Sequence, residues 1–130
     1  LAICVIDQLA CFYYKSKSTD TQWEDFVLKF MPAYAGKKIY TIFRNNIVHN
    51  YCGANRFALC FDLNFPYPMV KVKGQWIIHT HTFIQHLIRG FRACEKEMMV
   101  VDSIPYKNAR EWSEKHPVLT HTVIEGDIEE

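Results

Sequence analysis

Apolar positions recur along the chain at two different periods, and the changes between them mark out its elements. Residues 1–15 (LAICVIDQLACFYYK) carry no Gly or Pro and are apolar nearly all round, which predicts a well-buried helix. A polar connector at 16–21 ends in capping residues. Asp20 or Thr21 can cap a second helix, in which Trp23, Phe26, Val27 and Phe30 fall at i, i+3, i+4 and i+7. Pro32 stops it. After Gly36 the period predicts a third helix over about 37–51, with Tyr40, Phe43, Ile47 and Tyr51 among its apolar positions and Gly53 at its C-cap. The period then falls to two. Residues 57–63 and 69–78 read as strands, the second alternating Val70 and Val72 against Lys71 and Lys73. They are joined by 64–68, where Pro66 and Pro68 cannot continue a ladder. From 82 to about 98 the helical period returns, with Phe83, Leu87, Phe91 and Cys94 or Met98 on one stripe and Thr80 or Thr82 as N-cap. Residues 100–130 hold Pro105, Pro117 and one short helical stretch around 108–115. The pattern predicts a mainly α fold: a bundle of four or more helices over 1–99 with an inserted β-hairpin at about 57–78, then a peripheral extension of the same domain over 100–130.

Composition narrows the class. A chain of 130 residues fits one domain with a real core, and 49% hydrophobic residues argue against disorder. No uninterrupted apolar run reaches the roughly 18 residues of a membrane span, since Asp7 interrupts the first one. The formal net charge of +1 hides an asymmetry. Residues 100–130 carry three basic and seven acidic side chains, a net −4, which leaves +5 on 1–99. A mildly basic body with an acidic extension permits a nucleic-acid or phosphate partner without demanding one. The five cysteines (Cys4, Cys11, Cys52, Cys60 and Cys94) form no CxxC pair and are odd in number, and the chain carries no secretory signal pattern. Reduced thiols in a cytoplasmic protein are the expectation. The chain opens without Met inside an apolar stretch, which points to a preceding segment or a processed start.

The segment YTIFRNNIVHNY (40–51) carries the most chemistry. It sets Arg44, Asn45, His49 and Tyr51 among Tyr40, Ile42, Phe43, Ile47 and Val48. On a helix Asn45 and His49 share a face, while Arg44 and His49 stand about 140° apart, an angle a long Arg side chain can bridge to a common ligand. Arg offers a permanently charged planar fork suited to phosphate, and His exchanges a proton near neutral pH. Together they form a minimal kit for cleaving a phosphodiester without a metal.

This segment resembles the signature of the HEPN superfamily, in which Arg and a polar residue are followed after a few positions by His. Arg44–Asn45–x3–His49 matches its Asn form, and the order of the elements over about 1–99 is similar too. The resemblance implies a small helical bundle, a homodimer with one motif per protomer facing the other, an RNA substrate, and metal-independent endoribonuclease activity of a toxin or defence type with no cofactor. His49 would act as general acid/base, Arg44 would stabilise the phosphate, and Asn45 would orient one of them. Arg44, His49 and Tyr51 also match the Arg-x4-His-x-Tyr pattern of HEPN toxins paired with a nucleotidyltransferase-type antitoxin, in which the Tyr is a modification target. Arg110 and His116 satisfy the loosest form of the signature as well, but no Asn or Asp follows Arg110, and Pro117 ends the helix.

A bland reading stands beside the catalytic one. Arg44, Asn45 and His49 could equally knit a bundle or interface together in a non-catalytic binding or scaffold domain. Arg56, Lys71 and Lys73 on the hairpin are candidate contacts to an RNA backbone, although lysines also guard exposed strand edges. Asp7, a lone charge on an apolar helix, calls for a cation such as Arg44. His79, His81 and His86 offer three nitrogens without a neighbouring Cys or carboxylate, so no metal site is assigned, and His116 and His121 read as solvent-exposed. No phosphate-binding Gly loop, GxSxG elbow or HExxH pattern occurs.

Overall fold

The computed structural model describes residues 2–16, 20–39 and 57–116. Among these residues it has four α-helices and a three-stranded sheet: α1 (Ala2–Tyr14), α2 (Asp20–Phe30), a 3₁₀ turn (Pro32–Tyr34), β1 (Phe57–Cys60), β2 (Met69–Val72), β3 (Gln75–His79), α3 (Thr80–Met98) and α4 (Ile104–Lys115). The mainly helical architecture follows the apolar stripes. Trp23, Phe26 and Val27 on α2 are fully buried against Ile6 and Ala10 of α1 and Cys94 of α3. Lys15, just past α1, takes a positive φ of 55°, the left-handed residue that ends many helices. Buried Gln22 ties off the connection that follows, its Nε2 donating to the carbonyls of Ala10 (2.7 Å) and Ser16 (3.2 Å) while Ser16 Oγ donates to its Oε1 (2.8 Å). An amide buried at this depth keeps its place because both ends are bonded.

The sheet differs from the predicted hairpin. The break between 57–63 and 69–78 is present, but the two stretches form no hairpin with each other; the second folds back on itself at Lys73–Gly74, so that β2 and β3 pair antiparallel with Val72 opposite Gln75. Both turn residues have positive φ (49° and 79°), which is what a two-residue type I′ hairpin loop requires and Gly supplies freely. β1 then pairs parallel to β3, from Phe57 opposite Trp76 to Cys60 opposite His79, giving the order β1-β3-β2. β1 stops at Cys60 because Asp62 turns the chain, its side chain accepting from the Asn64 amide at 2.9 Å and its carbonyl from Phe65 at 3.0 Å.

Two helix boundaries also move. β3 runs directly into α3, with His79 rather than a threonine at the N-cap; Thr82 Oγ1 instead pairs with His79 Nδ1. The buried stripe of α3 is Phe83, Leu87, Gly90 and Cys94, so Phe91 turns outward beside Ile84 and Ile88. α4 begins four residues before the expected 108 because Ser103 caps it, accepting from the Tyr106 amide at 3.2 Å, with Pro105 in its first turn. None of its residues is fully buried, yet it lies along α1: Asn108 Nδ2 donates to the Tyr13 carbonyl (3.1 Å), and Lys15 pairs with Glu111 (2.7 Å).

Candidate functional site

Arg44, Asn45, His49, Tyr51 and Arg56 lie outside the described residues, and with them most of the predicted third helix. The segment that holds them follows Ile39, which is fully buried in the core. Asp7 is half-buried on α1, and its expected pairing with Arg44 falls outside the described residues too. Lys71 and Lys73 are both exposed, Lys71 on β2 and Lys73 in the hairpin turn. The Lys71 ammonium stands 5.5 Å from the Trp76 ring centre and that of Lys37 stands 5.4 Å from it, so a half-buried indole has two cations within reach of its ring.

Of the three histidines at 79–86, His79 and His81 hold their rings edge to face, 6.3 Å apart, while His86 meets a different partner. His79 is buried at the end of β3 with its ring near Phe65, His81 is exposed and bonded to Gln85, and His86 joins a tyrosine. Among the described residues no three His, Cys, Asp or Glu side chains gather as a metal-binding group.

The tyrosine is the feature that residue order alone did not bring out. α2 closes with the Met31 amide on the Val27 carbonyl (2.8 Å), and Pro32 then starts a 3₁₀ turn rather than another helical one. That turn sends Tyr34 into the core, where its ring meets Phe83 edge-on at 4.9 Å and its hydroxyl lies 3.0 Å from Nδ1 of His86. Fifty-two residues separate the pair in sequence, and no local spacing announces it. On α3, His86 and Arg89 stand three apart and share a face, with Gly90 beside them. Gly90 is there because the helices nearly touch: a Cβ at this position would lie 3.1 Å from the Phe30 carbonyl oxygen and 3.2 Å from Met31 Cγ. Near this close approach lies a cavity of about 320 Å³, lined by Phe30, Met31, Pro32, Ala33, His86 and Arg89.

Its electrostatics are simple. Burial, aided by the adjacent Arg89 cation, pushes the His86 pKa below its ordinary value, and burial pushes the Tyr34 phenol up to about 12. At neutral pH both members of the pair are therefore uncharged, and among the described residues Arg89 is the cation that lines the cavity. Comparison with protein-family models, with curated proteins and with solved structures returns no match.

Proposed function

We propose that this chain is a HEPN-like, metal-independent endoribonuclease of a toxin or defence type that works as a homodimer. The observation that carries the reading is the string Arg44–Asn45–x3–His49 within one amphipathic segment of a mainly helical domain. In this chemistry His49 takes the proton of a ribose 2′-hydroxyl as its oxygen attacks the adjacent phosphorus, or returns a proton to the departing 5′-oxygen. Arg44 holds the phosphate oxygens as negative charge builds on them, and Asn45 orients His49 or the phosphate. Tyr51 lies two residues beyond His49, at the place where a nucleotidyltransferase-type antitoxin would modify it. Arg56 and the exposed Lys71 and Lys73 give the RNA backbone its countercharge.

The test is cleavage of end-labelled RNA in excess EDTA by the wild-type protein, His49→Ala and Arg44→Ala, each shown to be folded. The expected result is cutting by wild type alone. Equal cutting by all three, or none by any, replaces this reading with a non-catalytic domain in which the three residues are structural.

A further inference from the structure

The cavity between the end of α2 and the middle of α3 combines features that a mere packing defect would not share. Its walls are apolar on one side, where Phe30, Met31, Pro32 and Ala33 contribute, and polar on the other, where His86 and Arg89 stand. At about 320 Å³ it lies in the size range of small-ligand sites. The polar side is organised as well. Tyr34 is almost completely buried and occupies Nδ1 of His86, which fixes the imidazole ring and leaves Nε2 as the nitrogen that can bond a guest. Arg89 forms no ion pair or hydrogen bond among the described residues, so its guanidinium is uncommitted beside the cavity mouth.

We propose that this cavity is a binding site for a small organic carboxylate, with the anionic head on Arg89 and His86 and the apolar body against Phe30, Met31 and Pro32. A guanidinium meets a carboxylate through two parallel hydrogen bonds, a geometry that a neutral amide cannot match. A monoanion suits the charge better than a dianion does. Among the described residues Arg89 is the one cation on the cavity lining and must balance the guest, and the last carbonyls of α2, including that of Phe30, turn the negative end of a helix toward the same region. A phosphate monoester would bring a second negative charge, with no further cation among the described lining residues to meet it. The site is independent of the ribonuclease reading, because none of the described residues that line it belongs to the Arg44–His49 segment.

The experiment uses benzoate as the probe and follows the amide and side-chain shifts of the full chain by NMR at neutral pH. Benzamide and phenyl phosphate are the comparison ligands. The expected result is saturable binding of benzoate with a Kd at or below about 1 mM, with shifts centred on Ala33, His86 and Arg89. Benzamide and phenyl phosphate should both bind more weakly. Arg89→Gln should weaken benzoate roughly tenfold to a hundredfold, whereas Arg92→Gln, an exposed arginine one turn along α3, should leave it unchanged. Both substitutions lie on exposed positions, and matching thermal melts show that each variant is folded. The proposal fails if benzoate does not saturate, if benzamide or phenyl phosphate binds as well, or if Arg89→Gln binds like wild type.

Discussion

His86 shows how one side chain can carry both a stability signal and a site. Its pKa is lowered first by burial and then by Arg89, so the folded protein resists its protonation more than the unfolded chain does. Above the ordinary value of 6.5 both states leave it neutral and its contribution is complete; as the pH falls through the lowered folded pKa, the unfolded chain binds the proton first and that contribution is lost. His86→Asn keeps a polar partner near Tyr34 and removes the titration. The stability advantage of wild type over this variant should therefore shrink between about pH 7.5 and pH 5, as read from urea midpoints across that range. A constant difference would mean that the ring is not desolvated in the folded state. None of this could be read from residue order. His86 stood out only as one of three nearby histidines, and its real partner arrives from fifty-two positions earlier through a turn set by Pro32. The Arg44–His49 string behaves in the opposite way: its chemistry is plain in the sequence because the two residues stand only five positions apart.

At the scale of elements, α1, α2 and α3 were readable and so were the stretches that become strands, but the pairing of the strands was not, for a physical reason. A helix announces itself through neighbours three and four apart, so α2 and α3 could be traced from their stripes, although Phe91, expected on the α3 stripe, turns outward. A parallel partner such as β3 for β1 lies far along the chain and leaves no local mark. The β2–β3 turn was missed because Lys73 is an unusual occupant of a left-handed position, where Asn or Asp before Gly would have stood out. The missed turn is itself testable. Gly74→Ala places a Cβ on a residue at φ 79° and should cost about 1 kcal/mol, although nothing lies within 4 Å of the new carbon. Lys73→Asn should instead raise stability by roughly 0.5 kcal/mol, since Asn tolerates the left-handed region better. Thermal melts of the two variants decide the matter: if both move the same way, the loop does not hold both residues at positive φ.

Across the whole molecule, the four described helices converge on Tyr13. Its hydroxyl accepts a hydrogen bond from Lys29 of α2 (2.7 Å) and donates one to Glu97 of α3 (3.1 Å), while its carbonyl receives Asn108 of α4 (3.1 Å). Its ring stands edge-on to Phe30 at 5.3 Å and to Tyr14 at 4.8 Å. The polar and apolar parts of this junction differ in weight. Lys29 and Glu97 also pair directly at 3.0 Å, and their side chains are 47% and 39% exposed, so water screens the pair and the hydroxyl adds little more than one ordinary hydrogen bond. Tyr13→Phe should therefore cost only about 1 kcal/mol. Tyr13→Ala removes a ring buried among three helices and should cost about 3–5 kcal/mol. Because the carbonyl survives in both variants, α4 keeps its anchor, and urea unfolding should remain one transition with an unchanged slope. Near-equal losses for the two variants would place the strength of the junction in its charges. A second transition in Tyr13→Ala would show that α4 and α1 hold together through that ring rather than through the Asn108 bond and the Lys15–Glu111 pair.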